Sequence, residues 1–199
     1  MKPWGTAGSR YVEAVPRFTF QKMNTTETFP GFENLVAPFK FSGQPYEYKV
    51  VPLRECPTPE NMQLCDTPDA AAQYWRLHVP QNPYFNPECE CFTVLLLNTR
   101  RRVKAHQIVS FGTHDTILVH PLTVFRLAVI TSAAAVVLMH NHPSGDATPS
   151  EADIKVTRDL IRAGQLLKIE VLDHVIIGRA TAERPRDYVS LRELGYFYS

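Results

Sequence analysis

Apolar and polar positions change rhythm several times along the 199-residue chain, and each change marks a predicted element. Residues 1–45 mix Pro, Gly, Thr and scattered aromatics without a sustained period of 2 or 3.6. They predict an extension with no core of its own, followed by a folded domain over residues 46–199. Tyr46 to Leu53 alternates as a strand does, and Pro57, Pro59 and Asn61 then punctuate a loop. Thr67-Pro68-Asp69 sets a capping hydroxyl before a proline at the first helical position, which predicts a short helix to about His78. The prolines at 80, 83 and 87 end it. Phe92 to Asn98 and Arg102 to Ser110 are apolar-rich segments on either side of a polar turn, the pattern of an antiparallel hairpin. Pro121 opens a helix on which Leu122, Phe125 and Val129 share a face, and Ala134 to Met139 is a continuous apolar run suited to a buried strand. Pro149 to Asp153 starts a longer helix with the predicted apolar stripe Ala152, Val156, Leu160, Ala163 and Leu167. Ile169 to Gly178 reads as a strand and Tyr188-Val189 as another. Strands and helices interleave around a hairpin, so the expected class is α/β (α+β), a central mixed sheet flanked by helices.

Composition narrows the class without naming a function. A hydrophobic share of 44% and a charged share of 21% are ordinary for a globular domain. The net charge of +1 gives no global footprint for nucleic acid, and Arg100-Arg101-Arg102 with Lys104 reads as a solvated turn. No segment approaches the ~20 apolar residues that cross a bilayer. The amino terminus also lacks the basic-then-apolar pattern of a secretory signal, so the expectation is a cytoplasmic protein with no membrane partner. Cys56, Cys65, Cys89 and Cys91 lack the Cys-x-x-Cys spacing of zinc ribbons and are expected to be free thiols.

The chemistry concentrates in His140-Asn141-His142-Pro143-Ser144-Gly145 and the following Asp153. Two imidazoles and a carboxylate are the ligand set of hydrolytic zinc, and three protein ligands leave one coordination position open. His140 and His142 stand two apart at a strand end, where alternation sends both rings to one side. Asp153 also stands three residues after Ser150, the spacing of a capping box. Two histidines at the same bend favour the ligand reading. Hydrolysis needs a proton acceptor for the attacking water, and Glu90 is the best candidate, with Glu88 and Glu151 as competitors. Ser144 could donate to an oxyanion, although Pro-Ser-Gly is also turn chemistry by itself.

The run from His140 to Asp153 resembles the JAMM metalloprotease signature of the MPN fold: His-x-His, ten residues, then Asp, with a serine two positions after the second histidine. The stretches Glu90 to Leu95, Phe111-Gly112-Thr113, Leu118 to Pro121 and Val171 to Gly178 are similar to the bacterial RadC-like JAB domain, over roughly residues 47–195. The resemblance implies a cytidine-deaminase-like JAB fold with Zn2+ held by His140, His142 and Asp153. It also implies Glu90 as general base and Ser144 as oxyanion support. The expected function is a zinc-dependent metallohydrolase of JAMM type acting on a peptide or isopeptide amide in an unidentified peptide or protein. The alternatives are a DNA-associated RadC-like factor, with nucleic acid as partner, or a non-catalytic JAB binding module. No Gly-x-Gly hairpin signature stands between Met1 and Lys49, so the helix-hairpin-helix segment of the full-length RadC pattern is not seen. His120 and His174 fall in family-like blocks, but lone histidines are usually packed, and a role behind the ligands is the less expected one. His78, His106 and His114 show no partner pattern. Asn141 is expected to fix the bend.

Overall fold

The computed structural model describes residues 51–58, 64–111 and 119–197. The expected extension over 1–45, most of the strand expected from Tyr46, and residues 59–63 and 112–118 lie outside these described residues, His114 among them. Residues 51–53, at the end of that expected strand, are not in strand conformation.

Helix α1 spans Pro68–His78, with Thr67 as its cap and proline in its first turn. Strands β1 (Cys91–Leu97) and β2 (Val103–Phe111) form the expected antiparallel hairpin. Its turn is closed by Asn98, whose side chain accepts from the backbone N–H groups of Arg100 and Arg102 at 2.8 and 3.0 Å. Arg101 occupies the left-handed position of this turn at φ 60°. The basic run has structural partners: Arg101 pairs with Glu170, and Lys104 bonds the carbonyls of Thr131 and Ser132.

Helix α2 spans Pro121–Ile130, β3 Ala135–Asn141, α3 Glu151–Leu167, β4 Glu170–Ile177 and β5 Tyr188–Ser190. The five strands make one sheet in the order β2-β1-β3-β4-β5, with β3 and β4 parallel and every other pair antiparallel. The mixed sheet flanked by helices is therefore as expected. Alternation sorts its side chains into two cores. Leu95, Leu97, Val137 and Met139 meet Ala72, Tyr74 and Trp75 of α1. Val94, Leu96, Val136 and Leu138 meet Val124 and Phe125 of α2 and Leu160 of α3. Among the described residues no helix is long and apolar enough to cross a membrane.

Both stripes expected on the later helices are rotated in the structure. On α2 the buried residues are Val124, Phe125 and Ala128, while Leu122 and Val129 are 65% and 54% exposed. This helix is apolar nearly all round, so periodicity alone does not single out a face. On α3 the buried positions are Ile154, Thr157, Leu160 and Gly164, and Ala152 and Leu167 face solvent. Thr and Gly in that face disguised it.

One irregularity matters for the site. The register slips between Val136, opposite Val171, and Val137, opposite Asp173. Leu172 and Asp173 therefore both line the α1 side of the sheet. This bulge reverses the phase of β4, so that His174 projects towards α3 beside His140. Without it, the alternation would send His174 to the opposite face.

The corrected α2 face is testable by unfolding. Phe125→Ala is expected to destabilise the protein by about 3–5 kcal/mol. Leu122→Ala should stay within about 0.5 kcal/mol in the same denaturant titration. Equal losses would restore the stripe read from the sequence.

Candidate metal centre

Strand β3 is buried along its whole length, and near its carboxyl end it carries His140 at 1% exposure. The chain then turns through Pro143-Ser144-Gly145. Gly145 adopts φ 83°, in the left-handed region that favours glycine. The turn lies directly on the end of β4: His142 N–H donates to Ile177 at 2.9 Å and Arg179 N–H donates to Gly145 at 2.8 Å. A Cβ on Gly178 would come within 2.5 Å of the Gly145 carbonyl, so only glycine allows this approach. Arg184 ties the same turn from outside by bonding the Gly145 carbonyl and the Asp146 carboxylate.

The fold brings His140, His142 and Asp153 together. His140 Nε2 lies 3.0 Å from His142 Nε2 and 3.2 Å from Asp153 Oδ1, and His142 Nε2 lies 3.4 Å from Asp153 Oδ2. Two donors bound about 2.1 Å from a tetrahedral zinc stand about 3.4 Å apart, so the three groups fit a zinc ion closely. Their chemistry fits as well. His142 Nδ1 lies 2.7 Å from the Asp146 carbonyl, which can only accept, so the proton of the neutral ring sits there and Nε2 offers a lone pair. A lone pair and a carboxylate facing each other without a hydrogen between them call for a cation.

Electrostatics agree. Burial lowers the His142 pKa, but the close contact with the Asp153 carboxylate, the hydrogen bond to the Asp146 carbonyl and the charges of Asp153 and Glu90 outweigh it and hold the pKa above its ordinary value. Burial raises the Asp153 pKa, yet its close polar contacts with the His140 and His142 rings and the hydrogen bond from Ser150 hold it well below the usual carboxylate range. The pocket favours positive charge next to an ionised carboxylate.

The capping box expected at Asp153 is present, and the same carboxylate faces the two histidines. Ser150 Oγ accepts from Asp153 N–H at 3.2 Å, while Asp153 Oδ2 receives Ser150 N–H and Ser150 O–H at 2.8 and 2.6 Å. The capping box uses Oδ2 and leaves Oδ1 to face His140.

Glu90 is brought to this end of the sheet by Asn141. The Asn141 amide accepts from Cys91 N–H at 2.9 Å and donates to the Cys89 carbonyl at 3.0 Å, gripping the residues on both sides of Glu90. Phe92 pairs with His140 in the antiparallel register, and the Glu90 charge acts on His142. Glu90 is half-buried, whereas Glu88 and Glu151 are exposed. Ser144 is also exposed, and its Oγ accepts from Asp146 N–H at 3.2 Å, a turn role that leaves its own hydrogen without an acceptor among the described residues.

Sequence reasoning gave too little weight to the layer behind the histidines. His140 Nδ1 lies 2.8 Å from His174 Nε2, and His174 Nδ1 lies 2.6 Å from Thr157 Oγ1. His174 is fully buried, and burial together with the nearby His140 holds its pKa well below the ordinary value. Phe92 stacks on His140 with ring centroids 5.9 Å apart. Thr157 was findable, because it stands one helical turn after Asp153 on the same face. His120 instead caps α2, accepting from Leu122 N–H at 3.2 Å. His78 and His106 pair with each other and with Tyr74 on the α1 side, away from the cluster. A cavity of about 460 Å³ lined by Cys65, Arg101, Asp173 and Arg192 also lies on the α1 side.

A UPF0758 protein of Caldanaerobacter subterraneus subsp. tengcongensis is 45% identical over 108 residues, which cover 54% of this chain and 44% of that protein. A UPF0758 protein of Desulforamulus reducens is 52% identical over 89 residues, 45% of this chain and 39% of its own length. One from Methanosarcina barkeri is 43% identical over 107 residues, 54% of this chain and 44% of its own. The chain thus spans less than half the length of these curated relatives. The family described as RadC-like JAB domain matches residues 65–196, which include all five strands and the whole His-His-Asp cluster. The sheet, the cluster and this match lead to one conclusion: the chain belongs to the RadC-like JAB domain family.

Proposed function

We propose that this protein is a zinc-dependent metallohydrolase of JAMM type that cleaves a peptide or isopeptide amide. The convergence of two imidazoles and a carboxylate, with His142 and Asp153 still 14% and 15% exposed, is the observation that supports this reading most. A zinc ion held by His140, His142 and Asp153 would polarise the scissile carbonyl and make an attacking water more acidic. Glu90 removes the proton from that water and returns it to the leaving nitrogen. Asn141 holds Glu90 in place through the backbone on either side of it. Ser144, with its lone pair engaged by Asp146 N–H, turns its O–H to the developing oxyanion. Phe92, packed on His140, keeps the inner side of the site dry. The four cysteines are unpaired, which suits a reducing compartment and hence the cytoplasm.

The deciding experiment is metal analysis of the purified protein together with an amide-cleavage screen run with and without chelator. Bound zinc and chelator-sensitive turnover are expected. Stoichiometric zinc without any such turnover would leave a non-catalytic binding module. Glu90→Gln should keep its zinc while slowing hydrolysis about 100-fold or more, and His142→Ala should lose both. A Glu90 variant as fast as wild type would remove Glu90 from the mechanism.

Asn141→Ala tests the clamp separately. It leaves a buried N–H and a carbonyl without partners, at a cost of roughly 1–3 kcal/mol in unfolding free energy. Amide exchange at Cys91 should accelerate and turnover should fall, with zinc retained. Unchanged turnover would show that Glu90 does not depend on Asn141.

A further inference from the structure

His174 is completely buried and takes no part in the proton transfers proposed above. It stands in the middle of a chain of hydrogen bonds whose direction is fixed from one end. Thr157 Oγ1 lies 2.5 Å from the Asp153 backbone carbonyl. A carbonyl only accepts, so Thr157 must donate its single hydrogen there. Thr157 Oγ1 can then only accept from His174 Nδ1, 2.6 Å away. A neutral His174 with its proton on Nδ1 has a bare Nε2, and this faces His140 Nδ1 at 2.8 Å. His140 must therefore carry its proton on Nδ1.

We propose that Thr157 and His174 are positioning residues that hold His140 in the tautomer whose Nε2 is bare, so that the nitrogen facing His142 and Asp153 is always ready for a metal ion. The relay begins on the main chain of Asp153 and ends on the ring beside the Asp153 carboxylate. One residue thus supplies a candidate ligand and orients another. The helix makes this possible, since Asp153 and Thr157 are four apart and the Thr157 hydroxyl reaches back to the carbonyl one turn earlier. The proposal rests on the metal-site part of the functional reading and not on hydrolysis.

Two pairs of variants separate orientation from packing. Thr157→Val and His174→Leu keep approximate shape but break the relay. Thr157→Ser keeps the hydroxyl, and His174→Gln keeps an acceptor for His140 and a donor for Thr157. Zinc affinity is measured on each full-length protein by competition with a chromophoric chelator. The first pair should bind zinc about 10–100-fold more weakly, and the second pair should bind like wild type. In the zinc-loaded protein, the His140 Nδ1–H resonance should persist in wild type and His174→Gln, and exchange with water in His174→Leu.

Equal affinity across all four variants would overturn the proposal. So would equal weakening in the conservative and the disruptive pair, which would mark a packing role. A wild type that binds zinc and follows this pattern but cleaves no amide refutes the hydrolase reading alone. A wild type that binds no zinc overturns both.

Discussion

A strand buried on both faces cannot leave a polar group unpaired, and the site depends on how β3 meets that constraint. An unsatisfied buried donor or acceptor costs about 1–3 kcal/mol, which is large beside the stability of a small domain. From Ala135 to Met139 the strand is apolar, and it then ends in His140 and Asn141, both still buried. Alternation turns these two side chains away from each other, so each must find partners of its own. Asn141 finds the backbone around Glu90, and His140 finds His174. The hydrogen bonds that make burial tolerable are also the ones that assemble the chemistry.

The start of α3 resolves a second conflict. The amino end of a helix carries partial positive charge and repels a cation placed next to it. Here the candidate cation site sits at that end, because Asp153 is in the first turn of α3. Glu151 and Asp153 bring negative charge to the same turn. The two oxygens of Asp153 also divide the work: Oδ2 satisfies the exposed N–H and hydroxyl of Ser150, and Oδ1 faces His140. A cap and a ligand are usually alternative explanations of one carboxylate, but here the geometry lets a single side chain cap the helix and still face both histidines.

Much of this was legible in the sequence because it rested on local chemistry. Proline and threonine marked the start of α1, the hairpin showed itself through apolar runs around a polar turn, and His-x-His with Asp153 marked the cluster. Other features needed information that no local pattern carries. The parallel pairing of β3 with β4 is set by tertiary structure, and the bulge that swings His174 to the α3 side leaves no trace in hydropathy. The face of α3 was misread because its buried positions include Thr157 and Gly164, and a hydrophobic count scores neither. Thr157 looked polar for the reason that makes it useful, a hydroxyl buried where it can bond both a carbonyl and an imidazole.

The centre is built in two halves of different character. His140, at 1% exposure, belongs to the core: Phe92 covers its ring, His174 holds its inner nitrogen, and β1 pairs with it. His142 belongs to a turn. Its ring is held through the Asp146 carbonyl, and that turn is held by the missing Cβ of Gly178 and by Arg184. Changes in the turn or in the loop carrying Arg184 would therefore move His142 and leave His140 in place. The solvent-facing side of the cluster is that of His142 and Asp153, at 14% and 15% exposure, because the His140 side is closed by aromatic rings. A site divided in this way keeps its electrostatics fixed by the core, while the approach to it remains adjustable through a few surface residues.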